Sequence, residues 1–337
     1  VSKPATEDES PVAGDSRTRE VLIVGGGLAG LSAGIYLGRA KRDTLVIDSG
    51  KSMARWEPEA HNYLGFPDGI SGDELIARGR AQAQAHEVEF AEDEIRDARR
   101  EDDVFVLRGR EQIYRGRRLL LATGIFHVPP EINGVRECLG HSMFFCKDCD
   151  GYRVQDKTVV VYGWRNETVE YALGMLAYTA VVAIVTDGRK PQWDKEHARW
   201  VEEYEVPVFT ATIDEARHEG CEIRCLRLSS GDEVEVDALF TTRGDIYYNE
   251  LARSLGAKLD DEGQIHVNAN MATSVPGLYA AGCVTPANCQ MIIAAGDGAT
   301  AAQAINRDLF EESLRTHHLR RLRRQQLETE ETTPTVR

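Results

Sequence analysis

No stretch of this 337-residue chain approaches the roughly 20 consecutive apolar residues that a membrane-spanning helix needs. The longest such runs, Leu119 to Ala122 and Ile292 to Ala295, are far shorter. The first residues are polar and acidic, so no secretory leader is read there, and the chain is expected in the cytoplasm, off the membrane. Basic charge is also in short supply. Lys and Arg total 40 against 55 Asp and Glu, a formal net charge of −15, which excludes nucleic acid as a partner because phosphate binding needs a basic face. Cysteine is too sparse, at seven, for a disulfide framework. What remains is 42% hydrophobic and 28% charged residues, the balance of a globular chain long enough for about two domains.

Residues 1–18, with Glu7, Asp8, Glu9, Pro11, Gly14 and Asp15, carry no apolar periodicity and are expected to be a disordered tail. Val21 to Val24 then reads as a short buried strand, Leu31 to Arg39 as a small-residue helix, and Thr44 to Ile47 as a second strand ending in Asp48. A second strand–helix–strand unit starts at Thr158 to Tyr162, with a helix over Glu167 to Leu176 and a strand over Val181 to Val185. Two such starts predict two nucleotide-binding-type domains. The last helix, Ala299 to Leu314, leads into a polar tail over residues 314–337. Its basic run (His317, His318, Arg320, Arg321, Arg323, Arg324) reads as a solvated helix face, the alternative being a dock for an acidic electron carrier or a second copy.

Gly25, Gly27 and Gly30 form G-x-G-x-x-G between the first strand and the first helix. The first glycine permits the tight turn and the second lets backbone N–H groups approach a pyrophosphate. The third lets helix and strand pack closely, and the helix dipole favours phosphate. Asp48, about 20 residues further on, can accept a hydrogen bond from a nucleotide ribose. Strand, helix and acid agree on a dinucleotide site.

Cys146-Lys147-Asp148-Cys149 is the one tight C-x-x-C in the chain, followed by Asp150-Gly151-Tyr152. Three readings are open. Zinc would need two further ligands; Cys138 and His141 are near, but there is no second C-x-x-C, and no metal is expected. Two buried structural cysteines sit poorly with polar Lys147 and Asp148. The preferred reading is redox chemistry. Lys147 can stabilise a thiolate, and Asp150 can exchange the proton that thiol chemistry requires.

These motifs, with Asn62-Tyr63, Ala122-Thr123-Gly124, Pro276 to Gly282 and Ala294 to Gly298, run in one order over residues 20–310 and resemble the low-molecular-weight thioredoxin reductases. The resemblance implies an α/β fold of two Rossmann-like, three-layer nucleotide-binding domains, the second inserted in the first. Residues 19–127 and 251–313 would form the FAD domain, and 128–250 an inserted, degenerate NAD(P)-type domain carrying the cysteine pair. It also implies non-covalent FAD, a homodimer and a rotation between domains. Cys149 would face the flavin, Cys146 would attack the partner disulfide, and Asp150 would be the acid–base. FAD contacts are expected at Gly25, Gly27, Leu28, Ala29, Gly30, Asp48, Asn62, Ile95, Ala122, Gly124, Gly282, Cys283, Gln290 and Met291. The substrate class the resemblance implies is a thioredoxin-like protein or a small dithiol or disulfide.

Two departures stand out. Where the family has a second glycine fingerprint, this chain reads Gly163-Trp164-Arg165-Asn166-Glu167-Thr168, with Arg165 at a glycine position. After the next strand stands Thr186-Asp187-Gly188, and Asp187 is expected to repel a 2′-phosphate. NADPH is therefore not expected as donor. Ferredoxin, or a second flavin stacked on Trp164, would serve instead. The alternatives are an oxygen-dependent dithiol oxidase, an NAD(P)H thioredoxin reductase with an atypical site, and a non-catalytic flavin-binding sensor. The second departure is Cys283, where the family has aspartate, with Cys289 in place of arginine beside Gln290. Cys283 reads as a small buried side chain near FAD rather than a third redox thiol.

Overall fold

The computed structural model describes residues 13–332. They divide into two compact units. Of the described residues, the first comprises 13–52, 76–124 and 247–332, and the second comprises Met53–Leu75 and Ile125–Ile246.

The first unit opens with β1 (Ala13–Val24), α1 (Leu28–Arg39) and β2 (Thr44–Asp48). After α2 (Gly72–Gln84) come β3 (Glu89–Glu92), β4 (Asp97–Glu101), β5 (Val104–Arg108) and β6 (Gln112–Leu121). Val21, Leu22 and Ile23 are fully buried, the apolar run of a strand covered on both faces. β1 lies parallel between β2 and β6, with Leu22 opposite Leu45 and Leu119. The sheet order is β3-β2-β1-β6-β5-β4. β1 begins earlier than the sequence suggests. Residues 1–12 of the expected tail lie outside the described residues, but Ala13 and Gly14 pair with Gln112 and Ile113. A parallel ladder is made of backbone hydrogen bonds, so polar residues can join it without an apolar signature.

The second unit adds β7 (Ile125–His127), β8 (Met143–Phe144), α3 (Lys147–Asp150), β9 (Val159–Tyr162), α4 (Asn166–Met175) and β10 (Val182–Val185). It continues through α5 (Lys195–Glu203), β11 (Val208–Phe209), β12 (Ile213–Glu219), β13 (Glu222–Leu228), β14 (Glu233–Glu235) and β15 (Ala238–Thr241). Its parallel sheet runs β11-β10-β9-β15-β8. Alternation along β9 makes three layers. Val159 and Val161 pack toward α4, whereas Val160 and Tyr162 pack toward the antiparallel sheet β12-β13-β14.

The second unit also takes in 53–75, which the sequence placed with the FAD domain. That excursion closes on itself, Gly72 N–H donating to the Glu57 carbonyl at 2.9 Å and Ala60 pairing with Ile70. It packs so tightly on Gly140 that a side chain there would sit 2.5 Å from the Pro58 ring.

The chain ends with β16 (Asp245–Tyr247), α6 (Glu250–Ser254), β17 (Leu278–Ala280), α7 (Met291–Arg315) and α8 (His318–Thr332). β17 extends the first unit's sheet beside β6. Arg118 of β6 holds α7 in place through Asp308 (2.6 Å) and Glu312 (2.8 Å). Within the expected C-terminal tail, α7 ends at Arg315 and α8 runs from His318 to Thr332, with residues 333–337 outside the described residues; His317 lies in the turn between the helices and the rest of the basic run on α8, all exposed. No described helix is long and apolar enough to cross a membrane.

Candidate functional site

In the first unit, the glycine loop turns between β1 and α1. A side chain at Gly25 would sit 2.2 Å from the Ala122 carbonyl, and one at Gly30 would sit 1.9 Å from the Gly25 carbonyl. Both positions therefore require glycine. Asp48 accepts the Gly26 N–H at 3.0 Å, fixing the loop to the end of β2. α1 begins at Leu28 with Gly27 as N-cap, so no side chain caps it, and its first N–H groups, through Ala29 and Gly30, are offered outward. α7 starts beside it. Gly298 lies so close that a Cβ would stand 2.0 Å from the Ala29 carbonyl, and the Gly282 Cβ position is 3.0 Å from the Ala29 side chain. Gly124 and Gly296 face open space. The carboxyl of Asp297 takes a backbone hydrogen bond from Gly282 but leaves Oδ2 buried with no protein partner, and burial pushes its pKa up. An uncapped helix start, open glycines and an orphaned buried oxygen together fit a dinucleotide.

The expected contacts divide. Gly25, Gly27, Leu28, Ala29, Gly30, Asp48, Ala122 and Gly124 line or border this cradle, as do Gly282, Gln290 (the N-cap of α7) and Met291. Ile95 packs against the unit's core, and Asn62 is exposed in the second unit. Asp297 was missed as a site residue, although its sequence context, Ala294 to Gly298, was already distinctive.

In the second unit, Cys146 and Cys149 are joined as a disulfide. Cys146 is the N-cap of the single-turn α3, and its sulfur accepts the Cys149 N–H at 3.1 Å. The Lys147 ammonium is paired with Asp148 at 2.6 Å. The ring of Phe145, just before Cys146, stacks on His127 at 4.9 Å and lies tilted 6.2 Å from Trp56. Tyr171 fixes the entry to α3, its hydroxyl donating to the Phe145 carbonyl at 2.8 Å and accepting the Lys147 N–H.

Asp150 is buried, and its pKa rises from 3.8 to about 7. Burial is the main cause, and the charge of Glu57 adds to it. Arg153, 3.3 Å away, opposes the rise. Glu57 is itself pushed up by burial. The acid is thus poised to give or take a proton near neutrality. Nothing in the sequence pointed to Glu57, Arg153 or Tyr171, since all three act through tertiary placement.

The second glycine loop differs from the first. Gly163 is required, since a side chain there would meet Thr242 Oγ1 at 2.1 Å. At the N-cap of α4, however, the Arg165 N–H is already bound to Thr168 Oγ1 at 3.3 Å. Trp164 is buried under Arg189, whose guanidinium lies 3.9 Å from the ring centre, so it is not the free stacking face read from the sequence. Asp187 also departs from expectation. It accepts from the Tyr162 hydroxyl and is flanked by Arg189 (3.8 Å) and Arg243 (3.7 Å), which compensate the charge expected to repel a phosphate.

The structure also corrects the reading of Cys283. It is half-buried and bonded to Cys289, so neither is a free thiol.

A phosphate-type cradle on one α/β unit and a C-x-x-C disulfide beside a raised carboxyl on another define a flavoprotein disulfide oxidoreductase. Residues 19–305 match the pyridine nucleotide-disulphide oxidoreductase family. A thioredoxin reductase of Treponema pallidum is 31% identical over 85% of this chain and 95% of its own length. One from Listeria innocua is 29% identical over 87% and 94%. The crystal structure of a putative thioredoxin reductase from Bacillus anthracis superposes with a TM-score of 0.80 at 26% identity, covering 87% of this chain and 99% of that one. The chain belongs to the low-molecular-weight thioredoxin reductase family of pyridine nucleotide-disulphide oxidoreductases, and the family implies FAD.

Proposed function

We propose that the protein passes electrons between FAD, the Cys146–Cys149 pair and a thioredoxin-like protein or a small dithiol or disulfide, as a cytoplasmic homodimer. The observation that carries this reading is the disulfide followed directly by a buried acid with a pKa near 7. FAD supplies a two-electron acceptor and donor when bound. Around it, the N–H groups at the start of α1 would hold the pyrophosphate and Asp48 would border the ribose. Gly124, Gly282, Gln290 and Met291 would line the remainder. Cys146 would exchange with the partner's sulfur, Cys149 would close the internal disulfide, and Asp150 would move the proton. Purified protein should be yellow, and acid precipitation should release FAD into the supernatant. Flavin retained in the pellet, or FMN in its place, would overturn the cradle assignment.

NADPH is a poor donor in this reading, and a reduced carrier such as ferredoxin takes its place. The support is the contrast between the two helix starts. α1 leaves its N-cap to a ligand, whereas in α4 the Arg165 N–H is taken by Thr168 and the arginine occupies the glycine position. Stopped-flow mixing without oxygen should show slow flavin bleaching by NADPH or NADH and faster bleaching by reduced ferredoxin. Complete bleaching within about a second at sub-millimolar NADPH would defeat this reading, since that matches ordinary turnover of a competent donor.

A further inference from the structure

We propose that Cys283–Cys289 is a second redox-active disulfide, a thiol–disulfide exchange site on the first unit that takes dithiols as substrates. The pair spans the short loop between β17 and α7. Cys283 follows the Gly282 turn (φ +79°), which abuts Ala29 in the first turn of α1. Cys289 immediately precedes the N-cap of α7. The bridge therefore ties the Gly282 turn, which packs on the start of α1, to the start of α7.

Three observations favour exchange over a purely structural staple. Cys283 and Cys289 are half-buried, and Pro286 and Asn288 between them are exposed, so the loop they close lies at the surface. The loop already holds its shape through backbone bonds, Thr285 to Gly282 at 2.9 Å and Gln290 to Asn288 at 2.8 Å. Finally, α7 is 25 residues long with no acidic side chain in its first turn, which leaves its positive end to favour a thiolate at Cys289. Cys289 is then the better leaving sulfur.

The exchange balances. A thiolate of the dithiol attacks Cys283, the bond between the two cysteine sulfurs breaks, and Cys289 leaves as thiolate. The second thiol of the reductant then displaces Cys283 from the mixed disulfide. The dithiol ends oxidised, the protein pair ends as two thiols, and the two protons pass to those thiols or to solvent.

The test is anaerobic titration of the full-length holoprotein with dithiothreitol, followed by alkylation and peptide-resolved mass spectrometry. Cys221, exposed and unpaired, should label throughout and serves as reference. Cys283 and Cys289 should gain label together, two thiols per chain, while the protein remains folded by circular dichroism. Cys283→Ser should leave Cys289 labelled without any reductant. Label at both cysteines before reductant is added, or none until the protein is denatured, would overturn the proposal. Flavin absorbance of the same samples reports separately whether FAD is bound, so failure of the cofactor reading would not be mistaken for failure of this one.

Discussion

Cys146→Ser and Cys149→Ser should each stop disulfide turnover, with a loss of at least about 10⁴-fold, the scale at which removal of a nucleophile leaves only binding and background reaction. Neither serine can form or break a sulfur–sulfur bond, so the two-electron step has no route through the other cysteine alone. The variants should nevertheless differ. The Cys146 sulfur, at the N-cap of α3, accepts the Cys149 N–H, and in the proposed reading it is the one that exchanges with a substrate disulfide. Cys149→Ser should therefore trap a mixed disulfide through Cys146, because the resolving sulfur is gone. Cys146→Ser should trap little. Intact-mass measurement after mixing with an oxidised thioredoxin-like substrate decides it. Adduct confined to Cys146→Ser would reverse the two roles, and full turnover in both variants would remove the pair from the mechanism.

How much of this was legible in sequence follows from how local each feature is. The β1–α1 turn is specified by contiguous residues. Gly25 and Gly30 are forced by contacts with the Ala122 and Gly25 carbonyls, and the pattern announces itself. The Cys146–Cys149 pair is equally local. Glu57 was invisible because it reaches the Asp150 neighbourhood only through the 53–75 excursion, which carries no catalytic pattern of its own. Asp187 misled for the same reason. Its charge was readable, but its compensation by Tyr162 from β9 and Arg243 after β15 is a product of strand order. Trp164 was read as an open aromatic face because a sequence does not show that Arg189 covers it. Cys283 and Cys289 flank a loop whose turn depends on Gly282 and Thr285, and their pairing is a product of that turn. Helix α8 is charged along its length, so it carried too little apolar signal to be separated from a tail.

Asp150→Asn should slow exchange by about 10²- to 10⁴-fold, the usual contribution of a positioned acid or base, while making the protein more stable at alkaline pH. Both effects follow from the same burial. With the folded-state pKa near 7 against 3.8 for an exposed aspartate, the folded protein keeps its proton where the unfolded chain has lost it. Below about pH 4 both states are protonated, and the carboxyl imposes no pH dependence. Between pH 4 and 7 the unfolded chain binds fewer protons, so stability falls as pH rises. Above 7 the loss is complete, at most about 4 kcal/mol at 1.36 kcal/mol per pKa unit, the opposing effect of Arg153 being already contained in the shift. Asparagine keeps the shape without the charge, so thermal unfolding followed from pH 4 to 9 should lose that slope in the variant. Turnover limited by the protonated acid should decline above pH 7 in the wild type, and Glu57→Gln should move that midpoint down by removing the neighbouring negative charge. A wild-type midpoint that Glu57→Gln leaves in place, or equal stability slopes with and without the Asp150 carboxyl, would mean that another group sets the pH response.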